Sequence, residues 1–145
     1  MAIKTVGVVG CGLMGSGIAQ VCAEAGYGVV VREVDEAALK KGLGKIESFL
    51  AKGVERGKVT PERRKEVLAR LTGTTDLAKL SGCDFVIEVV VESLDAKREV
   101  YQALDAACPP ATMRCTTAVG TLPSGIPRSA SAMIGRPPKI GRAHV

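Results

Sequence analysis

Tryptophan is absent from this chain of 145 residues, and aromatic side chains of all kinds make up only 3% of it. A protein that recognises bases by stacking needs a platform of rings, so this scarcity argues against a nucleic-acid partner. Long apolar runs are missing as well. None reaches the roughly 18 to 20 residues of a membrane span, and the first residues lack the basic, apolar and cleavage pattern of a secretory signal. A cytoplasmic protein without a membrane partner is the expectation. The five cysteines, Cys11, Cys22, Cys83, Cys108 and Cys115, are odd in number and include no C-x-x-C pair. They read as reduced core residues, with neither a disulfide framework nor a metal site.

What remains is an ordinary globular composition, 46% hydrophobic and 24% charged, at a length that suits one domain. The net charge of +5 is unevenly spread: nine Lys and Arg from Lys40 to Lys65 are interleaved with five Glu between Glu36 and Glu66. Such a run is either a solvated helical face with (i, i+4) ion pairs or a surface for a phosphate-rich small molecule such as coenzyme A.

The most informative stretch is Val6 to Gln20, V-G-V-V-G-C-G-L-M-G-S-G-I-A-Q. An apolar strand runs into a glycine turn and then a helix, and Gly10, Gly12 and Gly15 fit G-x-G-x-x-G. Each glycine has its own task. Gly10 permits the tight turn, Gly12 leaves room for phosphates, and Gly15 lets helix and strand pack closely. The open N–H groups of the helix beginning near Leu13 then face an anion.

Hydrophobic patterning predicts further elements. Strands are expected over 3–9, 27–32, 71–75, 84–90 and 113–117. Helices are expected over 13–25, from Glu36 to about Val54, from Pro61 to near Leu71, and over 93–107, with a helical turn over 76–80. Leu39, Leu43, Ile46 and Leu50 form the apolar stripe of the long helix, whose start Gly42 and Gly44 should fray. Thr60-Pro61 is a cap followed by proline at the first helical position. Strand and helix in this order imply an α/β fold, a doubly wound parallel sheet with its ligand at the carboxyl ends of the strands.

Glu33 closes the second strand about 20 residues beyond the turn, where an acid bonds the adenosine ribose of a dinucleotide. A carboxylate there repels a 2′-phosphate, which favours NAD over NADP, although Arg32 beside it could accommodate that phosphate. A second constellation follows the strand over 84–90: Glu92 and, a helical turn later, Lys97. These form either an internal ion pair or a ligand contact.

Together, G-x-G-x-M-G-x-G-I-A, the acid closing the second strand, the basic helix pair and V-V-E-S-L-x-x-K resemble the 3-hydroxyacyl-CoA dehydrogenase family. Within that family the chain resembles the bacterial 3-hydroxybutyryl-CoA dehydrogenases. The resemblance runs from about Ile3 to Pro110. It implies that residues 1–118 are a Rossmann NAD-binding domain with a helix-pair insertion at about 36–71. Gly10, Gly12, Leu13, Met14 and Gly15 would line the pyrophosphate, and Glu33 would hold the ribose. Val90, Val91, Glu92 and Lys97 would lie along the nicotinamide half, with Arg56 a phosphate contact for an acyl-CoA substrate. Phe49 stands where relatives can carry a polar residue. The rival readings are a non-catalytic nucleotide-binding module and a β-hydroxyacid dehydrogenase acting on free acids.

The resemblance fades after Pro110. Where relatives read N-T-S-S-L-P, this chain has Thr116-Thr117-Ala118-Val119-Gly120-Thr121-Leu122-Pro123, so Val119 or Gly120 replaces a serine that touches substrate. The single histidine, His144, is not followed by the H-F-F-N-P of relatives, and no catalytic residue is assigned. Residues 119–145 are expected to be an aberrant, poorly ordered tail. Within it, Ile140 to Val145 is what ATC GGA AGA GCA CAC GTC encodes, a common sequencing-adapter string, and is expected to be translated adapter. An intact genomic source encoding the same ending would overturn that. The expectation is a truncated, inactive domain of marginal stability that lacks its last strands and the helical second domain through which its parent would dimerise.

Overall fold

The computed structural model describes residues 2–90 and 94–116. Five strands form one parallel sheet: β1 (Thr5–Val9), β2 (Gly28–Arg32), β3 (Leu71–Thr74), β4 (Phe85–Glu88) and β5 (Met113–Thr116). Their order is β3-β2-β1-β4-β5. The helices are α1 (Leu13–Glu24), α2 (Glu36–Glu55), α3 (Pro61–Ala69) and α4 (Leu94–Ala107), with a 3₁₀ segment at Leu77–Gly82. The chain winds outward from β1 to β3, then crosses back to β4 on the other side of β1. That reversal creates the switch point at which doubly wound sheets bind ligands. The expected fold class is therefore present. The stretch expected to be a tail, with Val119, Gly120 and His144, lies outside the described residues.

Alternation along the strands divides the core between the two faces. Val6, Val8, Val29 and Val31 face α1 and α2, against Ala19, Leu39, Ile46 and Leu50. Val9 and Val86 face the other way, against Leu80, Leu104 and Cys108. Ile46 and Leu50 are each 1% exposed, and such burial stabilises by about 1.5–3 kcal/mol per side chain as an upper estimate.

Helix α2 is continuous through both of its glycines, so the expected fraying is not seen. Asp35 caps it, accepting from the Ala38 N–H at 2.7 Å. Gly42 has a packing reason: a Cβ there would sit 2.6 Å from the Cys11 carbonyl oxygen. Its absence lets α2 lie against the glycine turn. Helix α3 starts at the Thr60 cap, whose hydroxyl accepts from the Arg63 N–H at 3.1 Å. It stops at Ala69, before the expected Leu71, because Leu71 enters the sheet opposite Val29.

Part of the basic run serves the fold. The last turn of α1 carries no basic residue of its own. Arg63 donates to the Glu24 carbonyl, and Arg70 to the Ala23 carbonyl at 3.0 Å. These two guanidiniums put positive charge on carbonyls at the negative end of the helix, Ala23 also accepting from the Gly26 N–H at 3.1 Å.

Three boundaries differ from expectation for local reasons. β1 begins at Thr5 because the Lys4 and Thr5 N–H groups donate to the Asp84 carboxylate, at 2.9 and 3.0 Å. β4 ends at Glu88 because the Val90 N–H turns to the Glu88 side chain at 2.7 Å. α4 starts at Leu94 among the described residues. The cysteines also divide: Cys11, Cys83 and Cys108 are buried and Cys22 lies at the core margin, but Cys115 is exposed on β5. Cys115 is therefore not a core residue.

Candidate cofactor site

The glycine turn sits at the carboxyl edge of the sheet, between β1 and α1. Gly10 has φ +99°, and a Cβ on it would lie 2.8 Å from the Val89 carbonyl oxygen. Side chains rarely adopt that backbone, so glycine is required. A Cβ on Gly15 would be 1.9 Å from the Gly10 carbonyl oxygen, whereas one on Gly12 would meet nothing within 4 Å. The turn thus closes tightly at both ends and is open in the middle.

Helix α1 presents its N-terminus to that opening. Gly12, its N-cap, offers no side-chain hydrogen bond, and the first turn holds no acid. The first helical N–H groups and the positive dipole end are available to an anion. Leu13 and Met14 flank them and are 86% and 59% exposed. Such apolar exposure beside an open helix N-terminus suits a ligand with flat, weakly polar parts.

Glu33 lies beside the turn, just beyond β2. Its carboxylate accepts from the Cys11 N–H at 2.5 Å through Oε1 and from the Val34 N–H at 3.1 Å through Oε2. A carboxylate has about four acceptor sites, so capacity remains for two hydroxyls of a ribose. Arg32 points elsewhere: its Nε donates to the Thr75 carbonyl at 3.2 Å. Burial, reinforced by Glu33 and opposed by Lys45, pushes the Cys11 thiol up to about 11. Cys11 stays protonated at neutral pH and acts as packing, not as a nucleophile.

On the other side of β1, Val90 is half-buried and packs on the second core. Val91 and Glu92 lie outside the described residues. Lys97 is placed against a partner that the motif did not suggest. Its ammonium donates to both oxygens of Glu88, at 3.1 and 3.2 Å, and reaches the Val90 carbonyl at 3.5 Å. Glu88 is 1% exposed. Sequence reasoning missed it, although a signal was there: a charged residue inside the apolar run V-I-E-V-V must find a partner once buried.

Arg56 follows α2 and lines a cavity of about 370 Å³ with Gln20, Phe49, Lys52, Lys58 and Val59. Three cations and an apolar ring 69% exposed share this hollow. It lies on the helix-pair side of the sheet, away from Glu88.

Comparison with known proteins agrees with this geometry. Residues 5–144 match the family model described as 3-hydroxyacyl-CoA dehydrogenase, NAD binding domain, so the match continues through the stretch expected to depart from the pattern. A 3-hydroxybutyryl-CoA dehydrogenase of Mycobacterium tuberculosis is 49% identical over 104 residues, which are 72% of this chain and 36% of the relative. A probable 3-hydroxybutyryl-CoA dehydrogenase of Bacillus subtilis is 40% identical over 113 residues, 78% of this chain and 39% of the relative. The chain therefore spans under two-fifths of the length of these curated relatives. Among solved structures, 3-hydroxybutyryl-CoA dehydrogenase from Escherichia coli superposes with a TM-score of 0.81 at 33% identity, over 93% of this chain and 28% of that one.

Proposed function

Because the chain belongs to the 3-hydroxyacyl-CoA dehydrogenase family, through its NAD-binding domain, we propose that it holds NAD along the carboxyl edge of the sheet. It would do so as the cofactor half of an oxidoreductase interconverting (S)-3-hydroxyacyl-CoA and 3-oxoacyl-CoA. The observation that carries the cofactor reading is the link between Glu33 and the glycine turn. One carboxylate ties the turn through the Cys11 N–H and still has acceptor capacity, and the turn beside it is open at Gly12.

The residues present fit a dinucleotide. The α1 N-terminus would take the pyrophosphate, and Glu33 the adenosine hydroxyls. With the Arg32 Nε held on the Thr75 carbonyl, the repulsion between Glu33 and a 2′-phosphate supports NAD over NADP. Leu13 and Met14 would exclude water from the phosphates on one side of the turn. The chemistry that bound NAD supplies is hydride acceptance and donation at the substrate's C3. Val90, Val91, Glu92 and Lys97 remain assigned to the nicotinamide half, with Lys97 working from its place on Glu88.

The basic hollow beside Arg56 supports coenzyme A as the carrier of the substrate. Cations suit its phosphates, and the exposed Phe49 ring suits a purine face. Turnover is not expected of this chain alone, because Val119 and Gly120 stand where relatives offer side-chain donors to the substrate oxygen. The parent would be a cytoplasmic homodimer. Among the described residues no helix is long and apolar enough to cross a membrane.

Titration with NADH, followed by its fluorescence, tests the cofactor reading. Saturable binding that NAD displaces, and that NADPH matches only at higher concentration, is the expected result. Absence of binding at millimolar cofactor would overturn it.

A further inference from the structure

β4 delivers Glu88 to the face of the sheet covered by α4, two residues after Val86 on the same face. A carboxylate 1% exposed is costly unless its charge and lone pairs are met. Lys97, one turn into α4, meets them with donations at 3.1 and 3.2 Å, and the Val90 N–H adds a third at 2.7 Å. The same ammonium reaches the Val90 carbonyl at 3.5 Å. Acid and base therefore grip the backbone of one residue from both of its ends.

That backbone is part of the cofactor edge. The Val89 N–H donates to the Val9 carbonyl at 2.8 Å, immediately before the turn. The Val89 carbonyl oxygen is the atom that a Cβ on Gly10 would strike, at 2.8 Å. With Glu33, just beyond β2, taking the adenosine end, the nicotinamide end of an extended dinucleotide falls on the β4 side of the switch point. We propose that Glu88 is a positioning residue for the nicotinamide half of the site, acting through Lys97 on the Val89–Val90 backbone beside Gly10. The proposal rests on the NAD reading above and adds to it a residue that lies beneath the site.

The two halves of the ligand provide the test. ADP engages only the adenosine and pyrophosphate side, whereas NADH engages both. Both dissociation constants would be measured by calorimetry on the wild-type chain, on Glu88→Gln, and on the double variant Glu88→Gln with Lys97→Met, which removes the ammonium that Gln would strand. Expected in either variant is a rise of about tenfold in the NADH constant with the ADP constant unchanged within about twofold. Equal weakening of both ligands would mean a merely structural pair and would overturn the proposal. Unchanged NADH affinity in the double variant would overturn it too. Wild-type chain that binds ADP and NADH equally would sink the proposal while leaving the glycine-turn site standing. Wild-type chain that binds neither would sink the NAD reading itself.

Discussion

Glu33 and Glu88 stand on either side of β1 at the same edge of the sheet, and they solve different problems. Glu33 is half-buried, takes backbone N–H groups from Cys11 and Val34, and keeps capacity for a ligand. Glu88 is buried and spends its charge on Lys97. One carboxylate is placed by the local chain and looks outward. The other is placed by a helix nine residues later and holds the frame. The difference teaches that acidity at a strand end does not define a ligand contact. The identity of the donor does.

Cutting the Glu88 pair should give the largest effect. Lys97→Met leaves an unneutralised carboxylate in the core, and breaking a buried pair from one side costs about 3–5 kcal/mol. Urea unfolding followed by circular dichroism measures it. A loss below about 1 kcal/mol, the scale of an exposed ion pair, would place Glu88 with Glu33 and erase the contrast.

Removing Glu33 should act on the ligand more than on the fold. Glu33→Ala is expected to weaken NADH about tenfold and to narrow the preference over NADPH, while changing stability by about 0.5–1.5 kcal/mol. Parallel NADH and NADPH titrations, set beside the unfolding curve, read both effects. If stability fell as far as in Lys97→Met, Glu33 would be a structural brace and its ligand role would fail.

The same contrast explains what could be read from the residue order. The glycine turn and Glu33 were legible because each is specified locally: Gly10 by a backbone that side chains avoid, Glu33 by its place at the end of a strand. The doubly wound parallel class followed from the alternation of apolar runs with amphipathic helices. Glu88 was not legible. The apolar run around it reads as uninterrupted strand, and its partner lies nine residues later on another element, so Glu92 drew attention in its place. Likewise, a run of alternating charge gives no sign that Arg63 within it, joined by Arg70 beyond it, reaches across to the end of α1. Gly42 read as a flaw in a helix because the Cys11 carbonyl that requires it lies far off in sequence.

A third carboxylate sharpens the comparison by doing backbone work with no ligand in view. Asp84 sits at the opposite end of the sheet and accepts from the Lys4 and Thr5 N–H groups at 2.9 and 3.0 Å. Those two bonds, Lys4 first, hold its carboxyl below the ordinary value of 3.8. A group depressed on folding contributes stability that is present above its unfolded value and is lost as pH falls through the folded one. Asp84→Asn keeps the shape but removes the charge. The wild-type chain should therefore melt slightly higher than the variant above about pH 4, and the gap should close as the pH is lowered below that. Melting temperatures of both proteins from pH 6 down to pH 2.5 provide the check. A gap that persisted undiminished at the acid end would show that Asp84 acts by shape alone, and that charge matters at this sheet only where Lys97 answers it.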